Sequence, residues 1–415
     1  MTTTIKRFSK MLFAFVLCAG LAATSCETAD PVDNDKDPEN SENTGDTGNT
    51  GDNNSSSDII VFADDIVKKS CVDVFDIDGD GEISYDEAAE VKDLSGVTLR
   101  FIEDFLTFDE FQYFVNVESI PDNFFSKSKY LKSIILPESV ETIGKNVFYG
   151  CKSLTKIEFP QGLETIGDYA FRRCTGLTKI EFPQGLKTIG ESAFDECTGL
   201  TEIEFQQGLK TIGDHAFSSC SGLTEIEFPQ GLETIGGSAF SSCSGLTKIE
   251  FQQGLKTIGG GAFYKCTGLT KIEFPQGLET IGRGAFDQCT GLTKIEFPQG
   301  LKTIGESAFS SCSGLTEIEF PQGLETIGDY AFDQCSGLTK IEFQQGLKTI
   351  GQSAFSSCSG LTEVFCRPVV PPTLENSVFP TNLELRIYIP KDSVEHYMRD
   401  YNWNIYSSNI VGYDF

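Results

Sequence analysis

LTKIEFPQGLKTIGESAFDECTG, running from Leu177 to Gly199, recurs in strict 23-residue register from Leu131 to Gly360. The cysteines show the register best: Cys151, Cys174, Cys197, Cys220, Cys243, Cys266, Cys289, Cys312, Cys335 and Cys358 follow one another at that interval. Within a unit, Leu177, Ile180 and Phe182 read as the inward side of a short strand. Neighbouring strands then stack in parallel, about 4.8 Å apart. Leu186, Ile189, Ala193, Phe194 and Cys197 bring the chain back along the far side. Gly185 and Gly190 fall where tight corners call for permissive backbone. Such units bury their core against neighbours, so a long chain needs no further globular domain.

Two columns invite chemical readings. Stacked cysteines come within disulfide reach, yet an in-register parallel stack points every side chain the same way, which suits bridging poorly. A ladder of free, buried thiols packing as small hydrophobes is the expectation. The fifth position of the strand faces outward and is Glu in nine consecutive units, Glu158 to Glu342. Like charges at that spacing repel by roughly 0.9 kcal/mol per pair in water, before salt screening. Lysines at the third position (Lys156, Lys179, Lys248, Lys271, Lys294, Lys340) offset part of this. At Glu202 and Glu225 that lysine is missing. Glu202, Glu204, Glu225 and Glu227 therefore read as an unrelieved acidic cluster and a candidate partner-binding site. The strand face of the repeats carries no outward aromatic residue, which disfavours glycan stacking there.

The 415 residues carry 32 basic and 61 acidic side chains, a formal charge of −29. That excess repels phosphate backbones and excludes nucleic acid as a partner. Lys6, Arg7 and Lys10 precede an apolar run, Met11 to Ala23, too short to span a bilayer; this reads as a secretory signal peptide. Ala23-Thr24-Ser25-Cys26 then resembles a bacterial lipobox, with Cys26 the lipidated residue. Residues 27–57 are polar and acidic, a composition that predicts a disordered tether. The early acids of that tether resemble the export tag of surface-exposed outer-membrane lipoproteins.

Residues 76–87 carry the sharpest chemical motif. Asp76, Asp78, Asp80, Ser84 and Glu87 place oxygen side chains at positions 1, 3, 5, 9 and 12 of a twelve-residue loop, with Gly81 at position 6. Three aspartates, the Glu82 backbone carbonyl, Ser84 and both oxygens of Glu87 form an EF-hand-like donor set for Ca²⁺. Hard oxygen ligands select it over Zn²⁺. Val67, Cys71, Val74 and Phe75 predict an entering helix, and Ala88 and Val91 a leaving one. A single loop suits a structural brace better than a switch.

Phe101, Phe105, Phe108, Phe111 and Phe114, at near-helical spacing, are expected to cover the first coil. Val117 to Ser128 is a degenerate half-coil with Ser128 in the cysteine slot. At the other end the period is read as breaking at Cys366. Leu383, Leu385, Ile387 and Ile389 then form a last strand, Lys391 to Trp403 a short amphipathic helix, and Ile410 to Phe415 an apolar end docked on the cap.

A fixed period of this length with an L-x-x-L-x-L core is the leucine-rich-repeat signature. The full unit closely resembles BspA-like leucine-rich-repeat surface proteins of Gram-negative anaerobes, over about Val117 to Cys366. The resemblance implies a surface-exposed adhesin that binds host matrix or plasma proteins, such as fibronectin and fibrinogen, or partner bacteria. The expected fold is an α/β repeat: a right-handed leucine-rich-repeat solenoid with short parallel strands, an N-terminal helical EF-hand-like segment and a C-terminal cap. The expected divisions are signal peptide (1–25), lipidated acidic tether (26–57), calcium loop and N-terminal cap (58–116), solenoid (117–366) and C-terminal cap (367–415). The expected place is the outer membrane, surface-exposed through the lipid anchor. An enzyme is not expected, since His215 and His396 are the only histidines and no acid–base pair or nucleophile elbow stands out. A glycan-binding or scaffold subunit of a nutrient-capture complex is the alternative.

Overall fold

The computed structural model describes residues 58–97, 104–381 and 384–415. The signal peptide, Cys26, the tether, Phe101 and Leu383 lie outside the described residues. From Thr107 onward the chain is a parallel β-solenoid whose strands form two rows. In one row each coil contributes two residues, such as Thr188–Ile189, and twelve such strands from Ser119–Ile120 to Thr373–Leu374 form one unbroken sheet. In the other, most coils contribute three to five residues, such as Lys179–Glu181. In both, position pairs with position one unit away, as in Thr188 with Thr211 and Lys179 with Glu202.

The interior follows the expected columns. Leu177, Ile180, Ile189, Ala193, Phe194 and Cys197 are fully or almost fully buried. The Phe194 column stacks ring on ring, with Phe171–Phe194 at 5.0 Å and Phe194–Phe217 at 5.1 Å between centroids. All twelve described cysteines are free and buried. Each repeat thiol donates to the carbonyl of a phenylalanine 26 residues earlier, for example Cys174 Sγ to Phe148 O at 3.0 Å.

The Gly190 column has a different reason from the one expected. Neither Gly185 nor Gly190 has a left-handed backbone. A Cβ at Gly190 would instead lie 2.7 Å from backbone atoms of Gly167 and Asp168, so the column is glycine because successive coils touch there. The sixteenth and twentieth residues of each unit are left-handed, Ser192 (φ 51°) and Glu196 (φ 60°) in this copy, and in the Gly185 column Gly208 (φ 124°), Gly231 (φ 84°) and Gly254 (φ 117°) take that conformation as well. His215 occupies the Ser192 column, exposed.

The long-strand row is not continuous. It divides into sheets of 3, 2, 2 and 7 strands. The ladder is interrupted between the strands starting at Lys156 and Lys179, at Glu202 and Glu225, and at Lys248 and Lys271. In all three gaps, like charges would face each other at the third position. Opposite charges face across six closed junctions: Lys179–Glu202, Glu225–Lys248, Lys294–Glu317, Glu317–Lys340, Lys340–Glu363 and Glu363–Arg386. Cross-strand ion pairs support a ladder and like charges directly opposite weaken it. Lys271–Lys294 is closed despite its like charges.

Two helices precede the solenoid: α1 (Asp65–Phe75) and α2 (Tyr85–Glu90). Asp64 caps α1 by accepting from the Ile66 and Val67 N–H groups, and Val67, Cys71 and Phe75 face inward. Val74, expected on that face, is 41% exposed. The phenylalanine-rich segment is no α-helix. Thr107–Phe108 is a strand in register with Ser133–Ile134, and Asp109–Tyr113 is a 3₁₀ turn. Phe105, Phe108, Phe111 and Phe114 are nonetheless buried, three of them packed edge-on against Phe125.

The C-terminal cap also departs from expectation. Arg386–Pro390 is a strand, but a further one, Ile410–Tyr413, pairs with it and ends the sheet. The expected single helix is two, α3 (Val394–Arg399) and α4 (Tyr401–Asn404). Asp400 separates them because it is extended and caps α4, accepting from the Asn402 and Trp403 N–H groups.

Candidate calcium loop and candidate binding face

The loop of residues 76–87 is built between α1 and α2. Gly79 (φ 76°) and Gly81 (φ 83°) take the left-handed conformations of the turn. Carboxylate oxygens of Asp76, Asp78 and Asp80 converge to within 4.8 Å of one another. Hydrogen bonds within the loop shape this group: Asp76 accepts from the Gly79 and Gly81 N–H groups at 2.7 and 3.0 Å. The Glu82 carboxylate turns away to Lys68 at 2.7 Å, leaving only its carbonyl for the position the motif assigns it. Glu87 is not part of the converging group. Its Oε1 accepts from Ile77 N–H at 2.7 Å, and its Oε2 from the Ser84 N–H and hydroxyl at 2.8 and 2.9 Å. Burial pushes the Glu87 carboxyl up, but the donors from Ser84, Ile77 and Asp78 outweigh this and hold it below the usual carboxylate range. Ser84 is engaged as the cap of α2 in a reciprocal capping box.

The single loop is braced from two sides. Ile60 N–H donates to Ile83 O at 2.8 Å and Tyr85 N–H to Asp58 O at 3.0 Å, so an upstream segment pairs with the loop's own short edge. Phe75 packs edge-on against Phe114, and Asn116 Nδ2 donates to the Ala89 carbonyl at 2.6 Å. The helices are thereby fastened to the first coil.

The thiol ladder offers no reactive group. Burial pushes Cys151, Cys243, Cys289 and Cys358 up to about 12. Thiolate is the nucleophile and metal ligand, so these cysteines are held in the inert form.

The long-strand row presents its third and fifth positions outward on coil after coil, as the pattern Lys179 exposed, Ile180 buried, Glu181 exposed shows. The acidic cluster is less bare than expected. Lys179 of the preceding coil reaches Glu202 at 3.3 Å and Glu204 at 2.8 Å, because register pairing brings a neighbouring lysine across. Glu225 faces Lys248 in the same way. The two glutamate pairs therefore belong to different sheets, on either side of an interrupted junction. A groove of about 410 Å³ opens there, lined by Glu204, Phe205, Gln206, Glu227 and Phe228. A larger one of about 950 Å³ crosses the gap between Lys156 and Lys179. Each has a half-buried phenylalanine, Phe205 or Phe159, where the neighbouring Phe182 and Phe228 are buried.

An aromatic cluster that the repeat consensus does not announce ends this face. The fifth-position column continues past Glu342 as Phe365, Tyr388 and Val411, still paired residue to residue. Phe365 and Tyr388 stack at 4.6 Å, and Tyr413 and Phe415 pack edge-on around Phe365. Lys340 lies over the Phe365 ring and Arg367 over Phe415. The signal was available: 365, 388 and 411 keep the 23-residue interval beyond Cys366, where the consensus dissolves.

The BspA type leucine rich repeat region matches in six copies over residues 104–209, 187–313 and 279–398. The chain belongs to that family. Among solved structures it is similar to a leucine-rich repeat protein of Bacteroides ovatus at 28% identity, covering 64% of this chain and 83% of that one, with a TM-score of 0.40. It is also similar to a leucine rich cell surface protein of Faecalibacterium prausnitzii at 27% identity, covering 60% and 83%, TM-score 0.37. The pneumococcal vaccine antigen PcpA matches at 22% identity over 71% and 81%, TM-score 0.41. No curated protein matches the chain. Leucine-rich-repeat solenoids of this family are typical of binding proteins rather than enzymes.

Proposed function

We propose that this protein is a lipid-anchored surface adhesin whose long-strand row binds proteins of host matrix, host plasma or other bacteria. One observation carries the reading. Successive coils turn two side chains each outward onto one common face, with grooves between coils and an aromatic cluster at its end. Such a face suits an extended protein contact, in which aromatic and arginine anchors are surrounded by polar neighbours. Glu202, Glu204, Glu225 and Glu227, flanking one groove, suit the basic side chains of a partner. Anchoring through Cys26 at the outer membrane fits the basic and apolar leader, and the acidic tether fits surface exposure.

The loop of residues 76–87 is assigned a structural Ca²⁺, held by Asp76, Asp78 and Asp80, the Glu82 carbonyl, Ser84 and Glu87. The ion relieves repulsion among three converging carboxylates and stiffens the turn joining α1 to α2. Glycan capture is the second reading, favoured by the Phe365–Tyr388–Tyr413–Phe415 cluster. The test is the purified ectodomain on host-protein and glycan arrays, with and without Ca²⁺. Binding to proteins supports adhesion, binding to glycans alone replaces it with capture, and binding to neither removes both.

A further inference from the structure

The corners that follow the two-residue row are where the repeats differ most. The sixteenth residue of successive units reads Asn146, Tyr169, Ser192, His215 and Ser238, and the twentieth Gly150, Arg173, Glu196, Ser219 and Ser242. Charge is unevenly spread along them. The first three corners, residues 122–130, 145–153 and 168–176, carry six cations: Lys127, Lys129, Lys145, Lys152, Arg172 and Arg173. The next three carry four carboxylates and no lysine or arginine. A chain of net charge −29 thus holds one positive patch on its most variable columns.

The corner backbone fixes this patch in place. Lys127 N–H donates to Tyr149 O at 2.7 Å, Gly150 N–H to Arg172 O at 2.8 Å, and Arg173 N–H to Asp195 O at 2.8 Å. Lys127, Gly150 and Arg173 therefore stand in one column, all left-handed (φ 66°, 72° and 63°). A Cβ at Gly150 would meet nothing within 4 Å, so an open notch separates the Lys127 and Arg173 side chains. The two carboxylates of these corners are engaged by backbone: Asp122 accepts from Lys145 N–H at 2.8 Å and Asp168 from Glu191 N–H at 3.0 Å. Arg172 and Arg173 pair with Asp195 and Glu196, which border the patch. Among the described residues no carboxylate pairs with Lys127, Lys129, Lys145 or Lys152, all of them exposed. Lys129 and Lys145 lie instead over tyrosines, 4.9 Å from the Tyr130 ring centre and 5.2 Å from that of Tyr169.

We infer that these three corners bind a linear acidic polysaccharide, one carrying sulfate or carboxylate groups. Ammonium groups without carboxylate partners, set among exposed and half-buried tyrosines, suit a chain that presents acid groups and sugar ring faces together. An acidic peptide has no ladder to extend here, because the N–H groups of Lys127, Asn146, Gly150, Tyr169 and Arg173 already donate to the next coil. The acidic coils beyond the patch repel a polyanion, which confines contact to these corners. Their repulsion is screened beyond about 8 Å at physiological salt, and binding weakens as salt rises further. The patch occupies other columns of the coil than the long-strand row and does not depend on the adhesin reading.

The test is isothermal titration calorimetry of the full chain carrying Cys26→Ser, so that no lipid is attached, with heparin, hyaluronan and neutral dextran as probes. Heparin or hyaluronan is expected to bind, and dextran is not. Lys127→Ala with Lys145→Ala and Lys152→Ala, all exposed and so without effect on the circular dichroism, is expected to weaken binding by about tenfold or more. Lys256→Ala with Lys265→Ala and Lys302→Ala removes the same charge elsewhere and is expected to leave the affinity unchanged. Gly150→Glu puts a carboxylate into the notch, at a backbone angle that Glu196 already adopts, and is expected to weaken binding by itself. No binding of either acidic glycan, equal losses in the two triple variants, or a patch variant that binds like wild type overturns the inference. Tighter binding of single-stranded DNA or of anionic lipid vesicles also overturns it, since the patch would then be a site for phosphate rather than for sugar.

Discussion

The two rows of strands traverse the same coils at the same interval, yet one is a single sheet of 12 strands and the other is broken into four. The difference lies in what each coil shows its neighbour. In the two-residue row, Thr and Ile repeat from coil to coil and Gly190 sits where successive backbones touch, so the junctions are alike. In the long-strand row the third position varies between Lys and Glu, and three junctions with like charges are open. The uniform row sets the spacing of the solenoid, and the variable row tunes how firmly neighbouring coils are joined. Pitch and surface are thus held by different residues.

The contrast can be broken most severely from the interior. Unfolded cysteines lose their protons above about pH 9, whereas Cys151, Cys243 and Cys289 in the buried column hold theirs up to about 12. Stability from these thiols is full below pH 9 and is lost as pH climbs towards 12, by roughly 1.4 kcal/mol per thiol per pH unit. With ten thiols in the column the solenoid should melt cooperatively between about pH 9 and 11, which circular dichroism against pH would show. A melt no steeper than that of a chain with half the column changed to Ala would contradict it.

Substitution of one ring separates the interior from the outer row more gently. Phe217→Ala, in the stacked column, should cost about 3–5 kcal/mol. Phe205→Ala, half-buried beside an open junction, should cost clearly less. Denaturant titration of the two variants checks the order, and equal losses would mean that the open junctions are not looser.

The third prediction concerns the N-terminal brace. Ca²⁺ at roughly ten times its dissociation constant should add about 1.4 kcal/mol of stability, and Asp76→Ala should abolish the gain. The melting temperature of wild type and variant, with Ca²⁺ and with chelator, decides this; an unshifted wild type removes the calcium assignment. The smallest effect is expected on the outer row itself. Glu225→Lys combined with Lys248→Glu sets opposite charges across both neighbouring gaps, to Glu202 and to Lys271, while the closed junction between the two changed positions stays opposite; it should close those gaps, adding about 0.2–1 kcal/mol at each. Slower amide exchange at Ile226 and Glu227 is the readout, and unchanged exchange would mean that charge does not govern the gaps.

Most of the fold could be read from the 23-residue interval, because each column of the core repeats one residue type. The Cys, Phe, Ile and Leu columns are therefore visible without coordinates. The gaps were not, since they depend on which residue of the next coil stands opposite, and the lysines and glutamates looked merely alternating. Glu317 and Glu363 also stand at the third position without a lysine, and there too the lysine comes from the coil opposite, Lys340. Glycine at the Gly190 column was legible as a constraint but not as a contact between coils. The left-handed Ser192 and Glu196 columns hold mixed residues and carry no compositional mark. In the candidate calcium loop, spacing alone brought Asp76, Asp78 and Asp80 together; the turn of Glu87 towards Ser84 and Ile77 depends on a local capping box.

The thiol ladder has a consequence for how the chain must come to be made. Ten cysteines at equal intervals are protected only once the coils around them have closed. In an oxidising compartment the nascent chain is therefore in a race, with coil closure on one side and random pairing of exposed thiols on the other. Contacts made with the next coil alone keep each closing step local and fast. Growth from the braced N-terminal end would hide the cysteines one at a time, in the order in which they emerge.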